Sequence, residues 1–357
     1  MGNIFIGDSN SKARKINNAY IGIDGIARQV KQIYVGDANG KARLVWSAHS
    51  NLFGSIAYVQ ARYLYLTTDY FANTTSYYNE TFEMQYICFA KDRYFTTGSR
   101  GRISSFKDGV FTLLYSSPNS TSILGMAAHD NNIVCHSYNT VIISKDCGTT
   151  WIEQSMGIDD TNFLNGRYHC MIHDGTQFVC IKPSGNVYTS PTGEVWTKKS
   201  LAGSNYKYIY YANGKYFAAD EGMSYIKYST DLVNWQSCSN TLGSMWWPSG
   251  SSTTVYSFPQ IDYINGVYTL VQAKTSNLPN GYSRDGIRWE YVSDYYPQAA
   301  YDFYSLNCGD RILIFSHSQS DSRAGTIWQT TDGINYTALR SNVTYYAYGY
   351  NIAFANK

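Results

Sequence analysis

The chain has 357 residues, with 28 basic side chains against 26 acidic ones and 35 tyrosines. A near-neutral balance without a clustered basic face argues against nucleic-acid binding, and no apolar run approaches the length of a membrane span. The length suffices for one large domain plus an appendage, and Tyr with 8 Trp and 15 Phe predicts many short strands rather than helices.

The first predicted elements form a triplicate over residues 1–46. Its units read NIFIGDSNSKARKI, NAYIGIDGIARQV and QIYVGDANGKARLVW, aligning Phe5, Tyr20 and Tyr34, then Gly7, Gly22 and Gly36. Each unit is expected to be a strand, a turn rich in Gly, Asp or Asn, and a second strand carrying Ala-Arg. Three such hairpins bury little core alone, so this segment is expected to pack on a partner; a small self-contained β module is the alternative. The start MGNIFIGDS lacks the basic-then-apolar form of a signal peptide, and Ile6 stands where myristoylation needs Ser or Thr.

Residues 47–55, SAHSNLFGS, have the composition of a linker. A two-part unit then repeats over 56–357. Its first part is a hairpin with a polar turn: QYICFAKDRYFTT, MAAHDNNIVCHS, MIHDGTQFVCIK, YIYYANGKYFAA, IDYINGVYTLVQ and SLNCGDRILIFS. Its second part carries a Ser-x-Asp turn followed by Gly and an aromatic: SFKDGVF, SKDCGTTW, SPTGEVW, STDLVNW, SRDGIRW and TTDGINY. The second parts start at residues 105, 144, 190, 229, 283 and 330, a period that signals one small sheet per repeat. The Asp accepts bonds from backbone N–H groups of the turn, the Gly takes a positive φ, and the aromatic opens the next strand.

Two hairpins per unit make four antiparallel strands, one propeller blade. IAYVQARYLYLTTDY reads as a further first hairpin, with Thr67-Thr68-Asp69 as a decayed turn, and YYAYGYNIAFAN reads as another. The expectation is an all-β chain: a seven-bladed β-propeller, with six or eight blades possible, closed by pairing of its two ends, which removes open edges.

The stretch Ser144–Trp151 resembles the Asp-box (BNR) repeat of sialidase-like β-propellers, and matches it in full. The resemblance implies structural clamps rather than catalysis for Ser144, Asp146, Gly148 and Trp151, and for Asp108, Asp231, Asp285 and Asp332 in the weaker copies. A sialidase would need three arginines, an early Arg-Ile-Pro and a Tyr–Glu pair. The chain has no Arg-Ile-Pro, and Arg284 and Arg288 lie inside one of the turns. Tyr20–Val30, with its two companion units, resembles segments of tail-associated proteins from phages and prophages of Gram-positive bacteria. That second resemblance covers about the first eighth of the chain and implies a virion setting.

In an up-and-down blade the 1–2 and 3–4 turns share one face, and the 2–3 loops and interblade connections share the other. The long segments 239–260, 293–304, 273–282 and 316–326 all fall to the second face. They make Trp246, Trp247, Tyr295, Tyr296 and Tyr301 candidates for an exposed aromatic patch, with Asp294 and Asn280 able to bond sugar hydroxyls. A glycosidase would need paired carboxylates; Asp220-Glu221 and Asp294 or Asp302 are the acids on that face. No nucleophile motif, phosphate loop or metal cluster is present.

Seven cysteines without a Cys-x-x-Cys pair read as reduced thiols, Cys88, Cys135 and Cys180 as small core residues. His136 and His169 lack metal-ligand spacing. No cofactor and no metal are expected. The functional expectation is a non-enzymatic receptor-binding protein of a phage tail, baseplate or fibre, made in the host cytoplasm without a signal peptide. Residues 1–46 would dock on other tail proteins, and several copies per particle would bind a host surface glycan or protein by avidity, without nucleic acid or membrane insertion. The alternatives are a purely structural baseplate or tail decoration protein and a cell-wall glycan hydrolase or lyase.

Overall fold

The computed structural model describes strands at 5–7, 13–15, 19–23, 26–30, 32–36 and 42–47. From residue 53 it describes everything except 61, 69–72, 121, 159–169, 183, 203–205, 221–225, 241–259, 272–280, 292–299, 319–323, 345–350 and 357. Strands make up nearly all of the described secondary structure, with one short 3-10 turn at Ser99–Gly101. The chain divides into two compact units, Met1–Gly54 with Asn356–Lys357 and Ser55–Ala355.

The first unit contains three separate hairpins: Phe5–Gly7 with Ala13–Lys15, Ala19–Ile23 with Ile26–Val30, and Gln32–Gly36 with Ala42–Ser47. Their registers repeat the sequence period. Ile6 pairs with Arg14, Ile21 with Arg28 and Val35 with Arg43.

The second unit is a ring of seven sheets. Blades I to VI span residues 84–116, 125–155, 171–201, 206–237, 260–291 and 300–344. Blade VII joins Asn351–Asn356 to Phe53–Gln60, Tyr63–Thr67 and Thr75–Tyr78. The last strand of the chain is thus the first strand of blade VII. IAYVQARYLYLTT supplies its second and third strands, a correction to the expected first hairpin: an apolar strand pair looks alike wherever it sits in a blade. The strand from Phe53 also begins inside the segment read as linker.

Burial is greatest in the second and third strands and lowest in the outermost one, as blade II shows. The second strand Phe178–Ile181 is buried at every residue, whereas the fourth strand Val110–Ser116 is half-buried or exposed throughout. Inner strands stacked between two neighbouring blades need apolar residues on both faces and therefore read as continuous apolar runs. The first turns of blades IV and V are two-residue loops, Asn213-Gly214 and Asn265-Gly266, with φ of 45° and 78°, and 47° and 91°. Both residues lie in the left-handed region, as a type I′ hairpin turn requires.

The 3–4 turns of blades II to VI are held by side chains. In blade V the Asp285 carboxylate accepts from the N–H groups of Ile287 and Arg288 at 2.7 and 2.8 Å, and Ser283 Oγ accepts from Gly286 N–H at 2.8 Å. Blade VI repeats this with Asp332, Thr330 and Gly333, and blade IV with Asp231, Ser229 and Leu232. In blade II one extra residue, Cys147, shifts the pattern, so Asp146 reaches Thr150 N–H at 2.8 Å and Ser144 Oγ reaches Gly148 N–H at 2.7 Å. Blade III has Thr192 where the others have Asp; it keeps the Ser190–Gly193 bond at 2.8 Å, and the Thr192 hydroxyl accepts from Glu194 N–H only at a long 3.4 Å. The aromatic folds back under the turn: Trp151 and Trp196 donate Nε1–H to the carbonyls of Gly148 and Gly193.

Asp108 departs from this scheme. Lys107 pairs with Val110, and Asp108 and Gly109 have φ of 51° and 85°, so SFKDGVF forms a plain two-residue hairpin. Its Ser stands three residues before the Asp rather than two, and Ser105 is buried within the third strand instead.

Candidate functional site

Six of the seven residues proposed for the aromatic patch, Trp246, Trp247, Asn280, Asp294, Tyr295 and Tyr296, lie outside the described residues. Tyr301 belongs to the first strand of blade VI, Ala300–Asn307, rather than to the connection before it, and Asp302 follows it there. Ser239–Asn240, at the start of the longest connection, adds a fifth, parallel strand to the outer edge of blade V. A cavity lined by described residues lies elsewhere, on the inner side of the ring.

The first strands of successive blades lie side by side around the axis. Those of blades III to VI line a half-open cavity of about 240 Å³. Its wall comprises Ile172 and His173, Tyr210 and Tyr211, Gln260 to Asp262, and Ser305 to Asn307. His173 and Asn307 end their strands, and Tyr211 stands one residue from the end of its own. The cavity therefore extends toward the face that carries the 1–2 and 3–4 turns. On the rim, His173 stacks on His129 of blade II with ring centroids 3.9 Å apart. Burial and the neighbouring His129 hold His173 below its ordinary pKa, so it is a neutral group near pH 7.

Asp262 is the one carboxylate among the lining residues. Counted back from the first turn, it occupies the position held by Cys88, Ala127, Met171, Tyr210 and Ser305 in the other blades. Burial raises its pKa, opposed in part by the Ser305 hydroxyl. Ser305 Oγ lies 2.5 Å from Asp262 Oδ2 and 2.8 Å from Gln260 Oε1, and Ser305 N–H donates to the same Gln260 oxygen at 2.6 Å. A hydroxyl has one hydrogen for these two acceptors. Both contacts become hydrogen bonds when Asp262 is protonated, donating to Ser305 Oγ while Ser305 donates to Gln260. When Asp262 is ionised, the hydroxyl serves it alone. No described Lys, Arg or His forms an ion pair with Asp262.

A second polar cluster lies between blades II and III. His136 Nε2 is 2.9 Å from Cys170 Sγ, with His136 Nδ1 at 2.5 Å from the Ser137 carbonyl. Buried Lys182 donates to the Tyr138 carbonyl at 2.5 Å. The pairing resembles a nucleophile and its base, but burial pushes the Cys170 thiol far up and, with Lys182, pulls His136 down to about 3. Thiol and imidazole are then both neutral, and the pair holds strands together rather than priming a thiolate. The seven cysteines are free, and Cys135 and Cys180 are fully buried.

Sequence reasoning looked to long loops and missed the cavity, because its wall draws on four blades. One signal was available: IDYINGVY carries an acid where the matching first hairpins carry uncharged residues.

No family model and no curated protein sequence matches the chain. Solved structures do. A streptogramin B lyase aligns at a TM-score of 0.56 and 10% identity over 86% of this chain and 94% of that one. YCF48 from Cyanidioschyzon merolae aligns at 0.53 and 11% over 82% and 93%. YCF48 bound to D1 peptide aligns at 0.50 and 12% over 72% and 81%. Likeness at this level of identity shows the β-propeller fold and nothing finer.

Proposed function

We propose that this chain is a receptor-binding protein of a phage tail, baseplate or fibre, whose propeller binds a host surface glycan or protein. The axial cavity is the observation that carries the reading. It sets aromatic rings and hydrogen-bonding groups, Tyr210, Tyr211, Gln260, Ser305 and Asn307, on a rigid ring of strands. Asp262 has no second carboxylate beside it among the lining residues, and glycoside hydrolysis needs a pair. A propeller of the same fold, YCF48, holds a D1 peptide. The three repeated N-terminal hairpins suit attachment to a neighbouring tail protein, and the chain resembles tail-associated proteins in that segment. Trp246, Trp247, Tyr295 and Tyr296, with Asp294 and Asn280, are proposed as a second contact surface in this reading.

An enzymatic alternative draws on the likeness to a streptogramin B lyase. Both readings are tested by mixing the full chain with intact cells and cell-wall fractions of candidate Gram-positive hosts while assaying released sugars. Saturable binding without sugar release is expected. Sugar release would make the protein a glycan hydrolase or lyase, and no binding to any fraction would leave a structural tail or baseplate role. Comparison of Trp246→Ala/Trp247→Ala with Asp262→Asn reports which surface contributes.

A further inference from the structure

We infer that the axial cavity takes a single sugar ring bearing an ammonium group, its charge set against the Asp262 carboxylate. The inference rests on the reading of the chain as a binding protein and names the ligand class for that site.

Charge balance is the first argument. A half-buried carboxylate is stabilised by a cation or several donors beside it, and Asp262, half-buried on the cavity wall, has one hydroxyl and no described cation. The titratable groups around it are Tyr210 from the first strand of blade IV, Cys308 after that of blade VI, and Tyr336 of the blade VI turn. All three are neutral across the physiological range, because burial pushes each of them up. His173 on the opposite wall is neutral as well. A ligand cation supplies the missing charge beside the Asp262 carboxylate.

Shape and chemistry narrow the cation. A cavity of about 240 Å³ is smaller than the roughly 300–1,000 Å³ of pockets that hold drug-sized ligands, and it suits one ring rather than a chain of them. Tyr210 and Tyr211 line the cavity, and the half-exposed Tyr211, packed on Tyr216, brings aromatic surface suited to a cation or to the apolar side of a sugar. Gln260 and Asn307 supply amides for hydroxyls, although Asn307 already bonds the Tyr263 carbonyl and the Gly309 N–H. An alkyl ammonium alone would leave the Gln260 NH2 without an acceptor, since Ser305 occupies only its Oε1, which favours the sugar over a lysine side chain.

The test is direct titration of the full chain, followed by NMR line broadening or calorimetry, with glucosamine, N-acetylglucosamine, glucose and Nα-acetyl-lysine methylamide. Glucosamine is expected to bind at least about tenfold more tightly than either other sugar, a difference of about 1.4 kcal/mol. Asp262→Asn is expected to remove that preference while its melting curve shows a folded protein. Binding should also weaken as acid protonates Asp262. Equal binding of the three sugars, an unaltered preference in Asp262→Asn, or binding of the lysine amide in place of glucosamine would overturn the inference. Adsorption to cells separates the two levels. Cell binding without any glucosamine preference sinks the ligand class alone, and glucosamine binding without cell binding sinks the adhesion role alone.

Discussion

In the turns at the rim, Asp146, Asp285 and Asp332 each face a convergence of backbone N–H groups; in the channel, Asp262 faces a single hydroxyl and neutral side chains. The turn acids are held below their ordinary pKa. Thr150, through its hydroxyl and its N–H, brings Asp146 to about 2. Burial pushes Asp332 up, yet the bonds from Asn335 and Ile334 outweigh it and leave it at about 2. Asp262 moves the other way, because burial dominates. The contrast separates two uses of one side chain. A carboxylate whose donors come from its own turn stabilises the fold, whereas one left short of donors is a vacancy for a charge from outside.

The comparison breaks most visibly where the turns meet the neighbouring blade. Gly193 has φ of +86°, and a Cβ there would sit 2.4 Å from Val134 Cγ2 in the preceding blade. Gly148 and Gly333 make equivalent close approaches to Phe95 and Val267. Gly193→Ala therefore combines left-handed strain of ~1–2 kcal/mol with overpacking of ~1–3 kcal/mol. We expect a loss of about 3 kcal/mol in denaturant unfolding, with ligand preference intact in the folded fraction. A loss below about 1 kcal/mol would mean that the turns do not lock the blades together.

Blade IV sharpens the same point. Leu232 stands where its neighbours have Gly, at φ of 61°, and is 1% exposed within a cluster containing Val179 and Ile181 of blade III. It fills with a side chain the space that elsewhere is filled by close backbone approach. Leu232→Ala should cost about 3 kcal/mol for lost burial and a cavity. Leu232→Gly should cost about 1 kcal/mol less, because it relieves the left-handed strain. The reverse order in equilibrium unfolding would show that the strain is absent.

What could be read from the sequence divides along the same line. The turns were legible because their chemistry is local: Ser283, Asp285 and Gly286 lie within four residues and bond to one another and to the residues that follow. SFKDGVF misled because Asp-Gly is also the strongest signal for a type I′ hairpin, and one residue of spacing decides between them. The repeat of apolar hairpins gave the all-β ring, yet could not say which hairpin holds the innermost strand, so the closing role of Asn351–Asn356 was only half visible. The axial cavity depends on Asp262 and Ser305, which are 43 residues apart, and no local pattern joins them.

The smallest expected effect has the opposite sign to the others and tests the contrast itself. Asp332 has a folded pKa below its unfolded value of about 3.9, so it stabilises the protein above that pH and the contribution fades as pH falls toward about 2. Asp332→Asn should therefore lower the Tm at pH 7 and converge with the parent protein in acid. Asp262 has a folded pKa above its unfolded value. The native state then holds the extra proton, and stability falls as pH rises from about 4 through the folded pKa. Asp262→Asn, which keeps the shape and a partner for Ser305, should raise the Tm of the ligand-free protein at pH 8 and give no gain at pH 3. Thermal melts of both variants across pH 3–8 compare the two aspartates directly. If Asp262→Asn lowers the Tm at pH 8, the channel carboxylate already has its counter-charge within the fold, and there is no vacancy for a ligand to fill.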